Sequence, residues 1–211
     1  MPFHSDLERL GLYHSWSRRK YLDLYESLPW NVLVRNREAS FGSIRNVHLH
    51  ILQVYASWLV WMFHRRSLKP VLNGLDPRHF DRVTSVKQLR RLDRLIDRQF
   101  LEVSRGTTSV RLHRKHRFTD KGMRSAFTEE EGLWHMIEED FLHRGEIICM
   151  LWQDDIAPPY TSYMRWKYET NPKEHAYMPY RFATQKPSDN GKRTSTRSPG
   201  KPRRIRTATA P

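Results

Sequence analysis

TEEEGLWHMIEEDFLHRGEIICMLW, residues Thr128–Trp152, decides what kind of chain this is. Thr128 with Glu131 three positions on is a helix-start pattern, in which hydroxyl and carboxylate each satisfy one orphan amide of the first turn. Glu129 and Glu130 suit the positive end of the helix dipole. The segment predicts a helix running to about Trp152. On it, His135, Glu139 and His143 recur at four-residue steps, with Glu146 three further on. At roughly 100° per residue all four project within about a quarter turn of one another. Trp134, Ile137, Phe141, Ile148 and Leu151 flank this stripe, and no face of the helix is cleanly exposed. So many ionisable groups are expensive against an apolar core. They form either a solvated face or a polar site inside a bundle, where ligands project from facing helices.

Working outward, three more amphipathic helices precede this one. Leu10, Tyr13, Trp16, Tyr21, Leu24 and Leu28 place the first over about Leu7–Leu28, with Pro29 at its end. Ser43 is a plausible N-cap for the second. Its stripe is Ile44, Val47, Ile51, Val54, Trp58 and Met62, and it extends to about His64. Residues 65–83 read as a loop broken by Pro70, Gly74 and Pro77. The third helix starts after Thr84 or Ser85, carries Val86, Leu89, Leu92, Ile96, Phe100 and Val103, and stops near Gly106. SVRLHRKHRF follows as an extended crossover or short hairpin. After the fourth helix, Pro158-Pro159 precede a short last helix within Tyr160–Thr170. Four such helices and little strand predict an all-α four-helix bundle.

Composition sets the frame. A chain of 211 residues suits one domain with a tail, and its seven Trp, nine Tyr and nine Phe supply a core. Its one cysteine, Cys149, excludes an internal disulfide. No apolar signal core opens the chain, and the longest apolar run, Tyr55–Phe63, is far short of a membrane span. A soluble cytoplasmic protein is expected. The net charge of +14 is uneven. Residues 185–211 hold eight Lys or Arg against Asp189 alone, with Ile205 the only large apolar residue. That composition predicts a disordered basic tail on a bundle domain of residues 1–184. The tail lacks aromatics for base stacking, so nucleic acid is not the expected partner.

An imidazole and a carboxylate four apart on a helix can share one divalent ion if a third ligand arrives from elsewhere. His135 and His143 lie about 12 Å apart along the axis, too far for one ion. The pair is therefore Glu139/His143 or His135/Glu139. The second helix offers His48 and His50, which point in nearly opposite directions; periodicity does not choose between them.

SIRNVHLHI (Ser43–Ile51) followed by Trp58, WHMIEEDFLHRGEI (Trp134–Ile147), and Pro158-Pro159-Tyr160 resemble the DinB/YfiT-like superfamily. These are DNA-damage-inducible, metal-binding four-helix bundles, distinct from the polymerase that shares the DinB name. The resemblance covers roughly residues 7–170. Family members usually bind a divalent metal through three histidines, one from the second helix and two, four apart, from the last core helix. Carried over, these positions are His50, Glu139 and His143, so a carboxylate replaces the middle histidine. Zinc, iron(II), manganese and nickel all tolerate two histidines with one carboxylate. The resemblance implies a thiol S-transferase, using a low-molecular-weight thiol such as bacillithiol or mycothiol, or a hydrolase, acting on a small molecule. It also implies pairing into a homodimer. His135 becomes a substrate-facing or supporting catalytic group. Glu146 would orient His143, act on a proton, or pair with a basic residue of a neighbouring helix. Cys149 lies about 120° round the helix from His143; as a small apolar residue it is expected in the core rather than as a nucleophile. The competing reading is a non-catalytic bundle whose metal site is lost or structural, with a tail that contacts nucleic acid through phosphate charge alone.

Overall fold

The computed structural model describes residues 2–120 and 123–172. Four long helices make the bundle: α1 (Pro2–Glu26), α3 (Ile44–Trp61), α5 (Val86–Gly106) and α7 (Glu129–Trp152). Short elements join them: α2 (Trp30–Val34), α4 (Lys69–Gly74), α6 (Ser109–Leu112), an antiparallel hairpin of β1 (Lys115–Asp120) and β2 (Met123–Thr128), and α8 (Tyr163–Thr170). α1 packs chiefly on α5 and α3 chiefly on α7, while α3–α5 and α1–α7 contacts close the bundle. The basic tail at 185–211 lies outside the described residues.

Three of the four long helices start at a capping side chain, while α1 begins at Pro2, ahead of the expected Leu7. Ser43 and Ser85 accept the amides of Asn46 and Gln88. Thr128 and Glu131 form the reciprocal capping box. The core takes Ile44, Val47, Ile51 and Met62 from the α3 stripe and Leu89, Ile96, Phe100 and Val103 from the α5 stripe. Gly132 lets α7 approach α3 closely; a Cβ there would lie 2.6 Å from Met62 Sδ and 3.0 Å from the Trp58 ring.

Residues 65–83 are not a loop. They form a 3-10 turn at Arg66–Leu68, α4, and a second 3-10 turn at Pro77–Arg82. Pro70 and Pro77 sit in the first turn of a helix, where a missing N–H costs nothing. Asp76 caps the latter through the Arg78 amide. In SVRLHRKHRF the first residues turn into α6, and the rest pairs as a hairpin from Lys115↔Thr128 to Asp120↔Met123. Strand alternation puts His116, Phe118 and Phe127 on one hairpin face. That face covers Trp58 and Trp61, with Trp61–Phe118 at 5.0 Å and Trp58–Phe127 at 5.6 Å between ring centroids.

Between α1, α5 and α7 runs a buried polar network. Arg18 donates to Asp93 and Asp97 at 2.7 Å each and to Asp140 at 2.5 Å. Arg144 donates to Ser17 at 2.8 Å and lies 3.5 Å from Asp140. Ser15 donates to Asp97. Burial raises the Asp140 carboxyl, but His14 and Arg18 outweigh it and hold the group below the usual carboxylate range. Nothing in the periodicity marks these residues, because an ion pair in a core uses the same helix positions as apolar residues do.

Candidate metal centre

His50 lies in the second turn of α3 and projects toward α7. His48 points the other way, into the interior, where it is 1% exposed and its ring lies 5.8 Å from that of Tyr25. The two-residue offset thus separates a core histidine from one at the α3–α7 seam. Gln53, one turn beyond His50, faces its Nδ1 at 3.3 Å.

On α7, Glu139 and His143 stack as i and i+4. His143 Nε2 lies 3.1 Å from Glu139 Oε2, and His50 Nε2 lies 3.6 Å from the same oxygen. One ligand atom from each of His50, Glu139 and His143 falls within 4.8 Å of the others. Two atoms bound to one tetrahedral ion at about 2 Å would be about 3.3 Å apart. The observed spacing is of that order.

The far side of His143 is fixed as well. Its Nδ1 lies 3.0 Å from Glu146 Oε2. Glu146 in turn accepts from the Ser40 amide at 2.8 Å and from the Ser40 hydroxyl at 2.7 Å. Its partners are thus Ser40 and His143, with no basic residue of a neighbouring helix paired to it among the described residues. Burial raises the Glu146 carboxyl, but the Ser40 and His143 contacts prevail and lower it. Ser40 belongs to the turn between α2 and α3, which closes through Gly42 at φ +74°, where a Cβ would collide with Asn36. The same turn presents Phe41. Its ring stacks on His50 at 4.0 Å and meets His143 edge-on at 5.5 Å. Burial lowers the His50 pKa, which keeps its ring neutral.

His135 stands outside this shell. Its Nε2 is 3.9 Å from the other Glu139 oxygen, beyond hydrogen-bond range, and its ring packs 5.1 Å from Trp58. Cys149 is exposed, against the expectation of a core thiol. The outward face of α7 is where a rotation of about 120° from His143 leads. Gln53, Phe41 and Ser40 escape a reading from sequence. Gln53 carries one signal, its i+3 spacing from His50; Phe41 and Ser40 lie in an irregular turn that has no periodicity to read.

A glutamate must accept at its contact with His143 Nδ1, so in the neutral ring the proton sits there and Nε2 bears the lone pair. The Nε2 lone pair then faces the Glu139 carboxylate beside His50 Nε2, a convergence of electron-pair donors that a cation, or a second proton on the His143 ring, would relieve. The donor set of two imidazoles and one carboxylate suits a divalent first-row metal.

Fold and cluster together define an all-helical bundle whose ionisable centre spans two core helices. The DinB family model matches residues 3–175, and the chain belongs to the DinB family. No curated protein matches it significantly. No described helix is long and apolar enough to cross a membrane.

Proposed function

We propose that His50, Glu139 and His143 hold one divalent ion, of zinc, nickel, manganese or iron(II), and that the chain is a metal-dependent enzyme. Its reaction would be S-transfer from a low-molecular-weight thiol, or hydrolysis, on a small-molecule substrate. A divalent ion held there would supply Lewis acidity, lowering the pKa of a thiol or water beside it. The observation that carries the reading is the convergence of His50 Nε2 and His143 Nε2 on one Glu139 oxygen, at 3.6 and 3.1 Å.

The protein's own groups have distinct tasks in this reading. Glu146 keeps the His143 proton on Nδ1 and fixes the ring, as carboxylates behind metal-bound histidines do. Gln53 does the same for His50. Phe41 excludes water from one side of both rings. His135 is part-exposed beside Glu139, which suits a group that exchanges a proton with substrate.

Elemental analysis of the purified protein tests this. Near one equivalent of metal is expected in wild type. It should be lost in His50→Ala and His143→Ala and retained in His135→Ala. A wild type that carries no metal and takes up no zinc, nickel or manganese overturns the assignment. A second reading rests on a specific contact: His143 faces a carboxylate oxygen at both ring nitrogens, at 3.0 and 3.1 Å. A metal-free bundle would place an imidazolium there, donating to both. Nitrogen NMR separates the two, because the imidazolium carries protons on both nitrogens.

A further inference from the structure

Helix α5 separates its charges by sign. Its acids are Asp93, Asp97 and Glu102. The first two are buried and hold Arg18, and the third lies 3.5 Å from Arg65. The outer face carries Lys87, Arg91, Arg94 and Arg98, all exposed. They follow one another at steps of four, three and four. At roughly 100° per residue they project within about 60° of one another. The line they make is about 16 Å long at the standard helix rise.

None of the four has an ion-pair or hydrogen-bond partner among the described residues. The acids at the edge of this face are already engaged: Arg90 binds Asp23 and Glu26 at 2.9 Å each, and Arg105 binds Glu8 at 2.6 Å. Arginines elsewhere on the surface find carboxylates, as Arg165 does in Glu169. Like charges four positions apart weaken a helix. A solvated face ordinarily mixes both signs, and this one carries a single sign over three turns. The arrangement costs α5 stability and serves no contact among the described residues.

We infer that this face of α5 binds the phosphate backbone of nucleic acid, without regard to base sequence. Three of the four cations are arginine, whose planar fork fits phosphate oxygens. A duplex offers one negative charge per ~1.7 Å of its axis, so a line of this length meets more phosphates than it neutralises. Other acidic partners fit less well. A helix lying on an acidic membrane buries large apolar side chains in it, and a protein interface has an apolar centre. This face offers Leu95 alone, 38% exposed. The lack of aromatics that argues against base stacking by the tail is no obstacle here, because contact with phosphates needs none. His50, Glu139 and His143 lie on α3 and α7, so the surface stands whether or not they hold a metal.

Binding of the full chain to a short duplex of mixed sequence, measured against salt, tests it. Four cations neutralise at most four phosphates, so the stripe should contribute about −3.6 to the slope of log K against log salt. That is a loss of roughly 150-fold between about 50 and 200 mM salt. Lys87→Gln, Arg91→Gln, Arg94→Gln and Arg98→Gln combined should make the slope shallower by about three to four. Glutamine is a good helix former, so helix content and metal content should hold. Should the combined variant fail to fold, Arg91→Gln and Arg94→Gln singly decide, each expected to remove about 0.9 from the slope. A control lies in the hairpin: Lys115→Gln, Arg117→Gln and Arg124→Gln remove three exposed cations from another face, and should change the slope by less than about one. A wild type that fails to bind duplex at about 50 mM salt overturns the proposal. So does an unchanged slope in the combined variant, which would assign the binding to residues 185–211. An equal loss per charge in the hairpin variant overturns it too, since the attraction would then be diffuse. Binding to phosphatidylserine vesicles that the combined variant loses, with none to duplex, would assign the face to an acidic membrane instead.

Discussion

Two polar clusters lie on α7 one residue apart, and they differ in charge balance. Asp140 and Arg144 face the interior, where with Asp93 and Asp97 three carboxylates share the guanidiniums of Arg18 and Arg144. Burial pushes the Asp97 carboxyl up, against the pull of Arg18. That network is closed on itself. Glu139, His143 and Glu146 face α3 and the turn before it. Neither glutamate is paired with a lysine or arginine among the described residues. Glu139 and Glu146 set two carboxylates against the imidazoles of His50 and His143, an excess of acceptors that one divalent cation would meet in the proposed reading. The interior cluster is finished by the protein's own cations, whereas the seam cluster has no lysine or arginine among the described residues, which is what the proposed metal would supply.

The comparison breaks most visibly if Arg18 is removed. Arg18→Leu leaves three carboxylates sharing one guanidinium in the interior. A loss of about 3–5 kcal/mol in unfolding free energy is expected, measured by urea denaturation, with metal content per folded molecule unchanged. A smaller effect concerns acid. Burial lowers the His14 pKa, against the pull of Asp140 3.3 Å away. The unfolded chain therefore takes up a proton as pH falls below about 6.5 while the folded chain does not. Stability should be full above that pH and fall below it, by at most about 1.4 kcal/mol per pH unit for this one group. His14→Gln should flatten that limb. Denaturation midpoints between neutral and mildly acidic pH check the difference; identical slopes in the two proteins would remove His14 from the account.

The contrast also explains what the sequence disclosed. The four long helices, the N-caps Ser43 and Thr128 and the stripe at His135, Glu139, His143 and Glu146 were legible, because helix period and capping chemistry are local; for the third helix Thr84 and Ser85 stayed open, and Ser85 is the cap. The choice of His50 over His48 was not: both border the apolar stripe, and only the facing of α3 on α7 separates them. The resemblance to the DinB family pointed to His50. Short helices with a proline in their first turn read as loop because proline is a breaker everywhere else. Asp93, Asp97, Asp140 and Arg18 carry no local signal of burial, because their partners come from other helices. Trp134 and Phe141 were legible as apolar but not as outward-facing, since spacing on a helix with two apolar faces does not say which one the core takes.

The finest test lies within the seam cluster, between the two groups that orient its histidines. Glu146 and Gln53 make the same kind of contact to a ring Nδ1, at 3.0 and 3.3 Å, but one is a carboxylate and the other an amide. A hydrogen bond to a charged acceptor is roughly twice as strong as a neutral one. Removal of a group behind a metal-bound histidine typically weakens metal binding by about 10–100-fold. Glu146→Ala should fall in the upper part of that range, since it also frees the Ser40 turn that carries Phe41. Gln53→Leu removes only a neutral contact and should cost about 10-fold or less. Competition titration with a chelating dye ranks them. Equal losses would mean that Glu146 contributes shape rather than charge. A larger loss in Gln53→Leu would mean that His50, rather than His143, is the ligand whose orientation limits binding.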